Sequence, residues 1–121
     1  MKKMLLNKRL RMLLLLLIAF AWPCSLMAAE RSPVFHVITV NGAITPPAAE
    51  YITQNISEAG KEGADGLIIL LDTPGGLDLS MRDIAKGILN APIPVFVYVY
   101  PSGARAASAG VIITVAAHVA G

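Results

Sequence analysis

Residues 66–76, "GLIILLDTPGG", join an unbroken apolar run to a glycine turn. The run "GLIILL", 66–71, has the length of a strand and no alternation, which fits a strand covered on both faces in a parallel sheet. "DTPGG" ends it with Pro-Gly turn chemistry. Upstream, "VFHVITV", 34–40, is β-branched and reads as a strand, and "NGAITPP" breaks it. Thr45 can cap a helix there, with Pro46 at its first position. That helix, 47–60, sets Ala48, Tyr51, Ile52, Ile56 and Ala59 on one face, and Gly60 and Gly63 end it.

Downstream, Met81, Ile84, Ala85, Ile88 and Leu89 follow helical spacing across 79–90. Asp78 or Ser80 can cap the start of this helix, and Asn90 and Pro92 close it. "PVFVYVY", 94–100, is a third strand, and a third helix is predicted from Ala107 to Val119. The order β-α-β-α-β-α predicts an α/β fold of parallel strands joined by right-handed crossovers.

The first 29 residues do not belong to this pattern. Lys2, Lys3, Lys8, Arg9 and Arg11 precede the apolar run "LLLLLIAFAW", 13–22, and small residues surround Ala28. A basic start, a short apolar segment and a small-residue exit predict a secretory signal peptide cleaved after Ala28 or Ala29, or a retained signal anchor. A membrane span needs about 20 apolar residues, and this run is shorter. An exported chain, on the periplasmic or extracytoplasmic side of the membrane, follows.

Residues 30–121 then hold five bases and eight acids, a net charge of −3. The basic balance of the whole chain is thus a targeting feature, and nucleic acid is excluded as a partner. Cys24 falls in the signal, so residues 30–121 have no disulfide and no thiolate metal site. His36 and His118 each sit in an apolar stretch without a second ligand at metal spacing, and no metal or cofactor is expected. The remaining 92 residues make a small core, burying only around 60–65% of the unfolded surface. The apolar ending "GVIITVAAHVAG" suggests a fragment.

Ligands of an open α/β sheet bind at the carboxyl ends of its strands. Two loops leave those ends here, "DTPGG" and "YPSGARAASAG", 100–110. The second places Ser108 among Ala106, Ala107, Ala109 and Gly110. A hydroxyl at the start of a helix, beside a Gly-Gly backbone, is a layout for acyl transfer. The hydroxyl attacks a carbonyl, and backbone N–H groups hold the oxyanion. The competing reading makes Ser108 a helix cap or a close-packing residue. Asp72 is expected to anchor its loop by accepting backbone N–H groups, and Arg105 to be a solvated loop charge.

"LIILLDTPGG", the helix after it, "APIPVFVYVYPSGARAASAG" and the signal together resemble the N-terminal domain of NfeD-type membrane-bound serine proteases, in the ClpP/crotonase superfamily. The resemblance covers most of 34–118. It implies a ClpP/crotonase-like fold of repeated parallel β-α units, incomplete here. It implies a serine endopeptidase with Ser108 as nucleophile and Gly75 or Gly76, with Ala109, as the oxyanion hole. It further implies apolar peptide substrates, a membrane partner of the stomatin type, and a homo-oligomer at full length. The family's base is a lysine a few dozen residues after the serine. Lys61 and Lys86, the lysines of residues 30–121, both precede Ser108 on expected surface helices, so the Ser–Lys dyad is incomplete and this fragment is expected to be inactive. The alternative is a non-catalytic scaffold of the same fold that binds a membrane partner. Acyl-CoA chemistry is disfavoured, because the signal exports the chain and no basic cluster awaits nucleotide phosphates.

Overall fold

The structure, a computed structural model, describes residues 7–21 and 30–121. The chain divides into two compact units, 1–32 and 33–121. In the first, helix α1 spans Lys8–Ala21. Among the described residues no helix is long and apolar enough to cross a membrane. The expected cleavage positions Ala28 and Ala29 lie outside the described residues.

The second unit runs β1 (Phe35–Asn41), α2 (Pro46–Lys61), β2 (Gly66–Asp72), α3 (Asp78–Leu89), β3 (Val95–Val99), α4 (Ala109–Ala116) and β4 (Val119–Ala120). The strands form one parallel sheet in the order β1-β2-β3-β4. Phe35 pairs with Gly66, and Leu67 with Val95. The order of elements read from the sequence is the observed one, with β4 added.

Helix α2 packs on β1 and β2, α3 packs between α2 and α4, and α4 reaches β3. Alternate residues of each strand supply the core: Ile38 and Val40, then Leu67, Ile69 and Leu71, then Val95 and Val97. Ile52 and Ile56 of α2, Ile84 and Ile88 of α3 and Ile113 of α4 close over them. Burying each such side chain stabilises the fold by about 1.5–3 kcal/mol.

The other sheet face is a correction to the sequence reading. The unbroken run of β2 predicts cover on both sides. Within residues 33–121 the helices cover one side only, since strands laid down in sequence order by crossovers of one hand keep their helices on one face. Ile68 and Leu70 stay half-buried, while Val37 and Tyr98 are exposed. Phe35 and Phe96 meet edge to face, 5.7 Å apart, across Gly66, where a Cβ would strike both rings.

The helix boundaries differ in detail. Thr45 caps α2 as expected, with Ala48 N–H donating to its Oγ1 at 3.4 Å. The buried face of α2 uses Ala49 where Ala48 was expected, and Tyr51 is exposed. The helix runs past Gly60 to Lys61, and Gly63 turns the chain at φ +69°. Helix α3 has no side-chain cap: Leu77 holds the cap position, Ser80 is buried, and Asp78 accepts from Arg82 Nε at 2.8 Å. Leu89 is exposed. Helix α4 spans Ala109–Ala116 in place of the expected 107–119, and Val119 belongs to β4. The chain leaves the helix because the sheet captures it: His118 N–H donates to Val95 O, and Val95 N–H donates to His118 Nδ1.

Candidate functional site

The carboxyl ends of β1, β2 and β3 are laced together by backbone hydrogen bonds. Thr73 N–H donates to Arg105 O at 2.7 Å, and Ala107 N–H donates to Thr73 O at 3.0 Å. Arg105 N–H donates to Asp72 Oδ1 at 3.1 Å, so Asp72 anchors the loop as its sequence context suggested. Gly42 N–H donates to Asp72 O, Ile44 N–H to Gly75 O, and Leu77 N–H to Ile44 O, each at 2.9 Å. These bonds set the two loops beside one another, Thr73 facing Ala106 and Ile44 facing Gly76.

Ser108 stands at the N-cap of α4 with φ 49° and ψ −110°. Positive φ is rare for a residue with a Cβ and costs on the order of 1–3 kcal/mol. Strained strand-to-helix turns of this kind lift a serine hydroxyl out of the fold. Ser108 is exposed, and its side chain makes no cap hydrogen bond. The reading of Ser108 as a cap is thereby set aside.

The small residues around Ser108 are required by packing. A Cβ on Gly75, whose φ is +112°, would come within 2.8 Å of Ser108 Cβ and 3.3 Å of its Oγ. A Cβ on Gly76 would overlap the Ile44 backbone, and one on Gly110 would come within 2.7 Å of Thr73 Cγ2. The backbone packs closely here, and a surface cavity of about 230 Å³ opens at Ser108. Gly76, Asp78, Met81, Ala109 and Ile112 line it with Ser108.

Gly75 and Gly76 differ as donors. Gly75 N–H is held by Thr73 Oγ1 at 3.1 Å. Among the described residues the N–H groups of Gly76 and Ala109 find no hydrogen-bond partner. Ala109 opens α4, where the aligned peptide dipoles favour negative charge. Two residues with open donors, one from each loop, therefore share the lining of the cavity with Ser108.

Asp78 brings a carboxylate to the lining of the cavity at Ser108. Lys61 and Lys86 line other surface cavities and not the one at Ser108. The hydrogen bond to Asp78, and after it their charge attraction, hold the Arg82 guanidinium above its ordinary pKa. His36 Nε2 pairs with Glu62 at 3.1 Å, and His118 serves the β3–β4 junction. Among the described residues no cluster of His, Cys, Asp and Glu could hold a metal ion.

Sequence reasoning missed Thr73. It is fully buried, and its hydroxyl also donates to Gly75 O at 3.2 Å. A hydroxyl residue two positions before a glycine, just past a strand, is the available signal for such a turn.

No protein-family model matches the chain. It is 37% identical over 109 residues to the membrane-bound protease PH1510 of Pyrococcus horikoshii, a match covering 90% of this chain and 24% of that protein. It is 36% identical over 89 residues to the membrane protein NfeD1b of Bacillus subtilis, covering 74% of this chain and 20% of that protein. The chain thus spans a quarter or less of the length of these curated relatives. Among solved structures it resembles the 1510-N membrane-bound stomatin-specific protease in a serine-to-alanine variant, with TM-score 0.73 and 37% identity over 74% of this chain and 44% of that one. The same protease, in a lysine-to-alanine variant bound to a substrate peptide, gives TM-score 0.71 at 38% identity, over 74% of this chain and 41% of that one. ClpP1 of Listeria monocytogenes, 23% identical, shares the fold at TM-score 0.62 over 68% of this chain and 46% of that one.

Proposed function

The chain is a homologue of the NfeD-type membrane-bound proteases and has their ClpP-like fold, and from that premise we propose that it carries the nucleophile half of a serine endopeptidase site. Ser108 Oγ attacks the scissile carbonyl of a bound peptide. The N–H groups of Gly76 and Ala109 receive the oxyanion, each such donor lowering the barrier by about 3–4 kcal/mol. Gly75, whose own N–H is already held, serves by leaving room for Ser108 and not as a donor.

One observation carries this reading: an exposed hydroxyl at a strained helix start shares a cavity lining with two residues whose N–H groups are open. The general base is a lysine supplied from outside these 121 residues, kept neutral by desolvation. The substrate is an apolar peptide. Met81 and Ile112 in the lining of the cavity support that choice, as does the stomatin-specific relative solved with a substrate peptide. The chain is exported and works at a membrane, in line with relatives that are membrane proteins, on a partner of the stomatin type.

The test is covalent labelling of the full-length gene product with a fluorophosphonate probe. The wild type should label at Ser108, and Ser108→Ala should not. A labelled alanine variant rules out the role of Ser108. A wild type that never labels, yet still binds a membrane partner, supports the non-catalytic scaffold.

A further inference from the structure

Thr73 has more bonds into the site than any packing role requires. Its Cγ2 would lie 2.7 Å from a Cβ added at Gly110, at the start of α4. Its backbone N–H and C=O strap the Ser108 loop through Arg105 and Ala107. Its hydroxyl takes both ends of one residue, accepting from Gly75 N–H at 3.1 Å and donating to Gly75 O at 3.2 Å.

The second of these bonds bears on the oxyanion donor. The carbonyl of Gly75 and the N–H of Gly76 belong to one planar peptide unit and point in opposite directions. Gly75 O is held by Thr73 Oγ1 and by Ile44 N–H. Fixing that oxygen fixes the direction of the Gly76 N–H on the far side of the same plane. Gly75 itself sits at φ +112° with no Cβ to limit its rotation, so the turn has little stiffness of its own.

We propose that Thr73 is the positioning residue of the site, its hydroxyl clamping the Gly75 peptide so that the Gly76 N–H stays aimed at the oxyanion formed on Ser108. This inference rests on the acyl-transfer reading above. It assigns Thr73 no contact with substrate. It places the effect in the hydroxyl, with the methyl group serving only the packing of α4.

The experiment uses the full-length protein and an apolar peptide substrate, with Thr73→Val, Thr73→Ser and Ser108→Ala measured side by side for kcat, KM and thermal melting. Thr73→Val keeps the shape and loses the hydroxyl. It should lower kcat about 10- to 100-fold, somewhat less than deletion of an oxyanion donor, and leave KM within about twofold. Thr73→Ser should restore kcat even though it melts lower, since it lacks the methyl against Gly110. A folded Thr73→Val with wild-type kcat overturns the proposal. So does a Thr73→Ser variant as slow as Thr73→Val, which would assign the effect to packing. Should the valine variant not fold, the serine variant decides alone: wild-type kcat sustains the clamp, and a tenfold loss overturns it. Turnover retained by Ser108→Ala overturns both readings, whereas a dead Ser108→Ala beside an unimpaired Thr73→Val overturns only this one.

Discussion

Helix α2 begins at Thr45 and helix α4 begins at Ser108, both hydroxyl residues that suit a cap by type. Thr45 has extended backbone angles, φ −122° and ψ 167°, and its Oγ1 turns back onto Ala48 N–H. Ser108 has φ 49° and ψ −110°, makes no cap bond, and leaves the N–H of Ala109 open. At one helix start the hydroxyl completes the local structure. At the other, backbone strain holds the hydroxyl away from the role that would silence it. The lesson is that residue type at a helix start does not decide between capping and chemistry. The backbone angle of the cap residue does, and the contacts around it impose that angle.

Five substitutions probe this contrast. The largest effect is expected from Ser108→Ala in the full-length protein, where peptide turnover should fall about a thousandfold or more. Melting should barely move, since no hydrogen bond of the side chain is lost. A variant with wild-type turnover would erase the distinction between the two helix starts.

Next comes Gly76→Ala, which must displace the Ile44 backbone. Urea unfolding should report a loss of about 1–3 kcal/mol, together with a loss of turnover. Gly63→Ala makes the useful control. Nothing lies within 4 Å of its added Cβ, so only the φ of +69° resists it, at about 1–2 kcal/mol. Equal turnover losses in both would deny the 76 position any special place.

Ser108→Gly, compared with Ser108→Ala, should be more stable by about 1 kcal/mol, because glycine accepts positive φ. An alanine variant at least as stable as the glycine variant would show that φ 49° is not a strained state. The smallest effect is that of Thr45→Ala. It should lower stability by about 0.5–1 kcal/mol, the low end for a cap whose bond is 3.4 Å long, and leave kcat unchanged. A drop in kcat there would blur the contrast from the other side.

Much of the fold was legible because it rests on short-range pattern. The apolar spacing of Ile52, Ile56 and Ala59, and of Ile84 and Ile88, announces the helices and their buried stripes. Leu89 and Tyr51 kept the helical period and are exposed all the same. Periodicity names a stripe, but the curvature and neighbours of each helix set how wide that stripe is. The end of α4 was not legible, because "AAHVAG" is as apolar as the helix before it. A pairing with Val95, 23 residues away, ends the helix there.

Local pattern was enough for the order of the first three strands and their helices, the loops in which chemistry could sit, and Asp72 as an acceptor of backbone N–H groups. Each follows from residues within a few positions of one another. Only the folded chain decided that Gly76 and not Gly75 keeps an open N–H among the described residues, that Ser108 is turned away from capping, that Thr73 grips both loops, and that the helices of residues 33–121 cover one face of the sheet. These outcomes depend on bonds such as Arg105 N–H to Asp72 Oδ1, 33 residues apart. A peptide group's partner is fixed by what the folded chain brings beside it, and that geometry is written in no local window of residues.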